Sequence, residues 1–272
     1  MRPATRSGIA LAALAVTVTL AAPARAEAGA APALDSIEPC PAGTSGHPIL
    51  MIHGTNATLE KSLGPTYQAL LADGRCVYGP DYDSSRALAE STGYFTAVAE
   101  RILAVNDAAS IDLVGKSQGG LIARAVSLEL AQRPSNPVRR VISVSGPQRG
   151  IDPAGSAELG ALALRLPGLP PAMHDMIAGS EFLTGLDRGQ PAAPGVRYTM
   201  IGTRSDQIVT PYTRSFLDAP NVENVTLQDG CPEDLAGHLA ESTDPRTIDL
   251  TLHALDPDRH PEIRCQANDD TR

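Results

Sequence analysis

The 272-residue chain is 42% hydrophobic and 19% charged, a composition typical of a globular protein and too apolar for a disordered one. Its length gives room for one α/β domain with a sizeable core. Acidic residues outnumber basic ones by 31 to 22, and the resulting negative surface argues against binding to nucleic acid or anionic lipid. With three Phe, six Tyr and no Trp, the core is expected to be aliphatic.

The first 26 residues have the features of a secretory signal peptide. Arg2 and Arg6 supply positive charge, an apolar run covers residues 9–22, and the sequence ARA at 24–26 is a small-x-small cleavage site. A membrane anchor is the alternative, but the run is shorter than the roughly 20 apolar residues that a span needs. We therefore expect a secreted, extracellular protein from which residues 1–26 have been removed.

Removal of this segment deletes three arginines and no acid, which changes the formal net charge from −9 to −12. Such a charge suits a neutral substrate or a positively charged surface. An alternative of at least equal weight is that the charge only keeps a secreted protein in solution.

Short apolar segments then alternate with segments of helical periodicity. Strands are predicted at 47–52, 76–78, 111–114, 140–145, 196–201 and 222–227, and helices at 59–72, 87–105, 119–132 and 246–255. This order predicts an α/β fold with a mostly parallel central sheet and helices on both faces. No internal repeat or low-complexity linker is present, so residues 27–272 are expected to form a single domain.

The alternation breaks at about 151–194, which contains six prolines but no predicted strand. Helical pieces are predicted at 156–166 and 173–183, and the whole stretch is interpreted as a helical cap or lid inserted above the sheet. Its apolar side chains would form either the wall of a binding site or a plain packing layer. They are Leu159, Leu162, Leu164, Leu166, Leu169, Met173, Met176 and Ile177.

Four cysteines in an exported chain predict two disulfide bonds. Cys40 precedes the first predicted core strand and Cys76 begins the second, so both lie at one end of neighbouring strands. Cys231 follows the last predicted strand, and Cys265 lies in the tail. We therefore predict the pairs Cys40–Cys76 and Cys231–Cys265. A metal site is not expected, because no CxxC or HxxxH spacing accompanies these residues.

A pentapeptide of the form G-x-S-x-G occupies residues 115–119 in a matching context. A predicted strand leads into it and a predicted helix leaves it, which is the strand–turn–helix arrangement of a nucleophile elbow. Side chains at Gly115 and Gly119 would collide with the neighbouring strand and helix. The turn would expose the hydroxyl of Ser117 at the carboxyl edge of the sheet, where a helix N-terminus favours developing negative charge. The alternative is a tight turn with an incidental serine.

A serine nucleophile needs a histidine base and an acid that orients it, in the chain order serine, acid, histidine for this type of elbow. Asp206 lies in the loop after strand 196–201, and His238 lies in a loop after strand 222–227. We therefore predict a triad of Ser117, Asp206 and His238.

Three other carboxylates compete with Asp206. Asp229 and Asp234 lie in the loop that carries His238 itself, rather than after the preceding strand. Asp152 follows the fourth predicted strand, but a longer strand signal precedes Asp206. For each of them, a polar surface loop is the simpler interpretation.

The tetrahedral intermediate of acyl transfer also needs hydrogen-bond donors for its oxyanion. The first expected donor is the backbone N–H of Gln118, the residue after the nucleophile. The second is expected in the loop after the first core strand, where Gly54 permits close approach and Thr55 can offer its N–H and its hydroxyl. His53 directly precedes this loop and is interpreted as a structural histidine rather than a base.

In combination, these motifs resemble the class 2 lipases secreted by actinobacteria, which belong to the α/β-hydrolase superfamily. The matching stretches are ILMIHGTNA (49–57), VYGPDY (77–82), IDLVGKSQGGL (111–121), IGTRSDQIVTPY (201–212) and NVTLQDGCPEDLAGHLA (224–240), and they cover most of residues 40–256.

The resemblance implies the α/β-hydrolase fold, the same triad, Thr55 and Gln118 as oxyanion donors, and a cysteine tether near the histidine. Two features depart from the pattern: Lys116, where such enzymes often carry His, and the sequence PQRG at 147–150. Both border the acyl pocket, so they affect the expected substrate preference more than catalysis.

The expected function is that of a secreted serine ester hydrolase, first of all a triacylglycerol lipase, which needs no metal or cofactor. The first alternative is a carboxylesterase or polyester hydrolase that acts on short-chain or polymeric esters. An acyltransferase that uses an alcohol as acceptor is a weaker alternative. The remote alternative is a non-catalytic binding module on a hydrolase scaffold. We expect a monomer that takes a neutral ester or lipid substrate, makes transient contact with the lipid–water interface and binds no nucleic acid.

Overall fold

A computed structural model describes residues 33–152 and 168–268 of the chain. The predicted signal peptide (1–26) and the predicted helix 156–166, with its four leucines, lie outside the described residues. The division of the chain into a signal peptide and one domain stays a prediction.

In the described part of the chain, six strands form one sheet in which every neighbouring pair is parallel. Their order in the sheet is β2-β1-β3-β4-β5-β6. The strands are β1 (Ser45–Ile52), β2 (Arg75–Tyr78), β3 (Ile111–Lys116), β4 (Val138–Val144), β5 (Arg197–Gly202) and β6 (Val222–Thr226). The predicted mostly parallel sheet is therefore confirmed, and the strand bounds differ from the predicted ones by a few residues at most.

Helices follow each strand except β5, after which a 3₁₀ turn leads to β6. They are α1 (Leu59–Ala72), α2 (Leu88–Val105), α3 (Gln118–Leu130), α4 (Pro171–Met176), α5 (Glu181–Asp187) and α6 (Pro245–Leu255). Short 3₁₀ turns occupy Leu34–Ser36, Tyr212–Ser215 and Ala240–Ser242.

The predicted helix at 173–183 is wrong, because two short helices, α4 and α5, occupy this stretch. Gly179 lies between them with a φ of 84°, a left-handed conformation that interrupts a right-handed helix. The hydroxyl of Ser180 then accepts a hydrogen bond from the Leu183 N–H at 3.3 Å and caps the start of α5.

The core is mainly aliphatic, with Phe95 and Tyr198 also fully buried, and it lies on both faces of the sheet. Side chains alternate between the two faces along β1, so Leu50 and Ile52 pack on one side and Ile49 and Met51 on the other. Helices α2 and α3 cover the first side, and α1 and α6 cover the second. Strand β3 lies near the centre of the sheet, between β1 and β4, and is therefore buried along its whole length.

The carboxyl ends of all six strands meet at the same edge of the sheet, since the strands are parallel. The loops after β1, β3, β4, β5 and β6 therefore open on that edge, which is where α/β proteins bind their ligands. The predicted site residues all lie in these loops or at the start of α3.

Both predicted disulfide bonds are present. Cys40–Cys76 joins the arm before β1 to β2, and Cys231–Cys265 joins the loop after β6 to the segment after α6. The second bond anchors the chain seven positions before His238. Among the described residues, no helix is long and apolar enough to cross a membrane.

Candidate active site

Ser117 lies between β3 and α3 in the left-handed region, with a φ of 52° and a ψ of −124°. Its backbone N–H donates to the Val144 carbonyl at 2.8 Å, which fixes the turn against the next strand. A Cβ atom on Gly119 would lie 2.0 Å from the Ile52 carbonyl oxygen, and one on Gly115 would lie 2.2 Å from the Gly119 carbonyl oxygen. Both glycines of the pentapeptide are thus required by close backbone packing, as expected for a nucleophile elbow.

His238 joins the serine to a carboxylate. Its Nε2 atom lies 3.0 Å from the Ser117 Oγ atom, and its Nδ1 atom lies 2.8 Å from the Asp206 Oδ2 atom. The other carboxylate oxygen of Asp206 accepts from the N–H groups of Ile208 at 2.8 Å and Val209 at 2.7 Å. These two bonds hold the carboxylate so that Oδ2 faces the imidazole. The structure therefore brings the three predicted triad residues into one hydrogen-bonded chain.

The environment favours the neutral form of His238 and the charged form of Asp206. Burial lowers the pKa of His238, and the nearby Lys116 ammonium lowers it further, while Asp206 acts in the opposite direction. Burial opposes ionisation of Asp206, but hydrogen bonds from His238 and from the loop backbone outweigh it and lower the pKa of this carboxyl group. A neutral imidazole beside a serine hydroxyl is the state that can accept its proton.

The competing carboxylates lie elsewhere. Asp229 pairs with Arg204 at 2.6 Å, and Asp152 pairs with Arg214 at 3.2 Å. Asp234 is buried and accepts from the Ala236 N–H at 3.0 Å. In the described residues, His238 has Asp206 as its carboxylate partner.

The expected oxyanion donors lie next to Ser117. Gln118 is the first residue of α3, so its backbone N–H has no acceptor within the helix. A Cβ atom on Gly54 would lie 3.3 Å from the Ser117 Cβ atom, so the loop that carries Thr55 packs directly against the serine.

The hydroxyl of Thr55 donates to the Gln118 Oε1 atom at 2.7 Å, and the Gln118 side chain donates to the Ser84 carbonyl at 3.0 Å. The proton of the Thr55 hydroxyl is therefore engaged in holding Gln118. Of the two donors expected from Thr55, this leaves the backbone N–H for an oxyanion.

His53 is buried and has a structural environment, in agreement with its interpretation from the sequence. Its Nδ1 atom lies 2.8 Å from the Gly54 carbonyl oxygen, and its Nε2 atom accepts from the Tyr82 N–H at 3.2 Å. Burial lowers the pKa of His53 and so favours the neutral ring, and both ring nitrogens have hydrogen-bond partners. It holds the loop after β1 against residues 79–84.

One charged pair beneath the histidine was missed by the sequence analysis. The Nζ atom of Lys116 lies 2.9 Å from the Glu241 Oε2 atom, and both side chains are buried. The sequence marked Lys116 as a departure but gave no reason to single out Glu241, whose only signal is its position three residues after His238.

Three of these side chains are close enough together to hold a metal ion. Ligand atoms of Asp206, His238 and Glu241 all lie within 4.8 Å of one another. Their geometry is nevertheless accounted for by protein partners, because Nδ1 of His238 binds Asp206 and the Glu241 carboxylate binds Lys116. The donor set thus fits a hydrogen-bonded triad with a neighbouring ion pair.

In its described residues, 151–152 and 168–194, the predicted insertion packs against the rest of the protein. Met176 and Ile177 are buried in the core, and the Leu88 N–H of α2 donates to the Asp175 carboxylate at 2.7 Å. Arg124 of α3 is fully buried and anchors the far end of the stretch through the Asp187 carboxylate at 2.7 Å.

Comparison with known proteins gives one match to a protein family. Residues 48–178 match the family model of palmitoyl protein thioesterase. No sequence among the curated proteins is significantly similar to the chain.

Solved structures show the fold. Lipase B of Aspergillus fumigatus superposes with a TM-score of 0.64 and 21% identity over 82% of this chain and 56% of that chain. A lipase of Bacillus licheniformis in its mature form has a TM-score of 0.59 and 15% identity, over 80% of this chain and 94% of that one. An α/β-hydrolase enzyme from the metagenome of Mar Chica lagoon sediments in Morocco has a TM-score of 0.53 and 18% identity, over 79% of this chain and 93% of that one.

The chain has the α/β-hydrolase fold. It spans little more than half the length of the Aspergillus lipase and nearly the full length of the other two proteins.

Proposed function

We propose that this α/β-hydrolase is a serine hydrolase of carboxylic esters, with Ser117, His238 and Asp206 as its triad. The observation that carries the proposal is the position of His238, whose two ring nitrogens lie 3.0 Å from the Ser117 hydroxyl and 2.8 Å from the Asp206 carboxylate. The strained elbow at Ser117 and the buried loop of Asp206 support it.

The reaction proceeds in two acyl-transfer steps. The Ser117 Oγ atom attacks the ester carbonyl carbon while His238 Nε2 takes the hydroxyl proton. Asp206 accepts the Nδ1–H bond and stabilises the resulting imidazolium. The carbonyl oxygen becomes an oxyanion, for which the N–H groups of Gln118 and Thr55 are the expected donors.

Collapse of this intermediate expels the alcohol, which takes its proton from His238, and leaves an acyl group on Ser117. A water molecule then attacks the acyl carbonyl and gives its proton to His238. The second tetrahedral intermediate then collapses, the Ser117 Oγ atom takes this proton back from His238, and the carboxylic acid is released. Each proton that leaves an oxygen returns to another, so the chain's own side chains complete the cycle.

An apolar rim supports a neutral lipid ester as substrate. Ile208 follows Asp206 by two positions, and Leu239 directly follows His238; they are 48% and 67% exposed. Leu235, in the same loop as His238, is 44% exposed. Of the four large apolar side chains that are exposed in the described residues, three thus lie within three positions of Asp206 or His238 in the chain. A triacylglycerol at a lipid–water interface supplies an apolar partner for these side chains, and the net negative charge of the chain disfavours anionic esters.

The two disulfide bonds and the predicted signal peptide support a secreted enzyme, and we assign it to the lipases that its motifs resemble. We propose that it acts as a monomer on triacylglycerols. Carboxylesterase or polyester hydrolase activity would use the same triad.

A second candidate substrate class is the acyl thioester. It is favoured by the match of residues 48–178, which include Ser117 but neither Asp206 nor His238, to the thioesterase family model. The triad chemistry is the same, because a thioester carbonyl is attacked by the same nucleophile and expels a thiol in place of an alcohol.

The test of the reaction is labelling by a fluorophosphonate. Ser117 Oγ would attack phosphorus and expel fluoride, and His238 would take the proton. We expect stoichiometric labelling at Ser117, located by peptide mass spectrometry, and none in Ser117→Ala. Absence of labelling in the folded wild-type protein would favour the non-catalytic binding module.

The substrate class is tested with p-nitrophenyl esters from acetate to palmitate, an emulsified triglyceride, and an oxyester and thioester of the same acyl chain. We expect kcat/KM to rise with chain length, because each buried CH₂ contributes about 0.8 kcal/mol, and the triglyceride to be hydrolysed. If acetate esters are the best substrates, the protein is an esterase rather than a lipase. If the thioester is preferred over the oxyester, it is a thioesterase.

The apolar rim has a matched control. Leu239→Ser is expected to slow hydrolysis of the emulsion several-fold more than hydrolysis of a dissolved ester. Leu71→Ser, at a leucine that is 42% exposed at the end of α1, is expected to change neither. Equal effects of both substitutions on the emulsion would contradict a role of the rim at the interface.

A further inference from the structure

The buried pair of Lys116 and Glu241 lies directly beneath the proposed triad. Lys116 is the last residue of β3, opposite Val144 of β4, and Glu241 lies in the 3₁₀ turn that follows His238. Their charged atoms are 2.9 Å apart, and both side chains are removed from solvent. The pair thus joins the strand that ends in the nucleophile to the segment that carries the base.

Three charged groups face His238. Asp206 comes from the loop after β5, Lys116 from β3, and Glu241 from the 3₁₀ turn. Ligand atoms of Glu241 lie within 4.8 Å of those of both Asp206 and His238. A second carboxylate is therefore within reach of the histidine.

Either member of the pair would disturb the triad if the other were absent. Burial and the neighbouring Asp206 raise the pKa of Glu241, whereas Lys116 opposes this change. Without the ammonium group, Glu241 would take up a proton or compete with Asp206 for the imidazole. Without the carboxylate, an uncompensated ammonium group would oppose the imidazolium that forms when Ser117 attacks.

We propose that Lys116 and Glu241 are a positioning pair that balances charge beside His238, so that Asp206 rather than Glu241 accepts its hydrogen bond. This inference rests on the proposed function of the triad. Neither residue touches the reacting atoms, and both act through His238. A buried pair can also contribute to stability alone, so the test must measure the histidine itself.

The experiment follows the rate of Ser117 labelling by a fluorophosphonate as a function of pH, with kcat/KM for a dissolved ester measured alongside. The variants are Lys116→Met, Glu241→Gln, the double variant and Lys116→Arg, each checked for folding by circular dichroism. Arg139→Met is the matched control. It removes one partner of the buried Asp112 near the start of β3, at the opposite end from Ser117.

Loss of the positive charge in Lys116→Met is expected to move the midpoint of the acid limb upward by about half a pH unit or more. Loss of the negative charge in Glu241→Gln is expected to move it downward and to slow labelling at neutral pH. The double variant should lie closer to the wild type than either single variant, and Lys116→Arg should keep the wild-type midpoint. Arg139→Met should lose stability with an unchanged midpoint.

Single variants that keep the wild-type midpoint would overturn the pair's positioning role while leaving the proposed function intact. A double variant whose rate is the product of the two single losses would overturn it as well. If Lys116→Met does not fold, Glu241→Gln and the double variant decide the question by the same criteria. A wild-type protein that is not labelled would overturn both the proposed function and this inference.

Discussion

The Nε2 atom of His238 lies 3.0 Å from the Oγ atom of Ser117, although 121 positions separate the two residues in the chain. Their approach follows from the parallel sheet, which directs the ends of β3 and β6 to the same edge. The disulfide Cys231–Cys265 anchors the loop between β6 and His238. Loops that follow two different strands thus bring these side chains into one hydrogen-bonded pair.

Ser117→Ala is expected to abolish ester hydrolysis and leave the fold unchanged. The substitution removes the nucleophile but keeps a small side chain in the same tight turn. Initial rates with p-nitrophenyl esters and the far-ultraviolet circular dichroism spectrum check this. Hydrolysis at the wild-type rate by a folded variant would contradict the assignment of Ser117.

Ester hydrolysis is expected to persist below pH 6.5, the ordinary pKa of histidine. Burial and Lys116 lower the pKa of His238, so the imidazole stays neutral, and able to accept a proton, to lower pH. Activity should then fall as the pH passes through the lowered value and the ring becomes charged. The pH dependence of kcat/KM measures this limb, and a midpoint above pH 6.5 would be the contrary result.

Gly119→Ala is expected to lower the free energy of unfolding by about 3 kcal/mol or more, because the new methyl group would lie 2.0 Å from the Ile52 carbonyl oxygen. Activity should fall with it, since the shift displaces Ser117.

The matched control is Gly93→Ala in the interior of α2, where an added Cβ meets no atom within 4 Å. There we expect a gain of about 0.5–1 kcal/mol from helix propensity. Urea unfolding monitors both variants. An equal loss of stability in the two would show that close packing at the elbow does not explain the first result.

Arg124→Met is expected to cost about 2–4 kcal/mol of unfolding free energy. The guanidinium group is fully buried and donates to the carbonyl oxygens of Pro191 at 2.8 Å and Gln148 at 3.3 Å. Both lose a donor in the variant, and residues 187–191 lose their anchor on α3.

Arg133→Met provides the comparison, because the pair of Arg133 with Glu100 is about half exposed on both sides. Its loss is expected to cost less than about 1 kcal/mol. Thermal or urea unfolding distinguishes the two variants. A cost at Arg124 as small as that at Arg133 would show that the buried guanidinium group does not anchor this segment.

Much of the fold was predictable because it depends on local patterns. Alternating apolar strands and periodic helices predicted the parallel sheet, since strands of this kind bury both faces. The break between α4 and α5 was not predicted. Gly179 is compatible with a helix in the sequence, and the packing of residues 150–151 against 177–178 selects the turn.

The sequence alone determined which residues could belong to the site. The pentapeptide at 115–119 supplies the two glycines that this tight junction of a strand, a serine and a helix needs, because a Cβ at either position would collide with backbone atoms. It also placed Asp206 and His238 in loops at the correct edge, because parallel strands all end on one side.

Only the tertiary structure decided which carboxylate meets His238 and what Lys116 does. Asp152, Asp229 and Asp206 all follow strands or lie in site loops, and their partners in the structure, Arg214, Arg204 and His238, distinguish them directly. Lys116 faces Glu241 because two segments 125 positions apart pack together. Local sequence restricts the conformation of each segment, but the distances between charges on separate segments arise from packing, and these distances determine their pKa values and their chemistry.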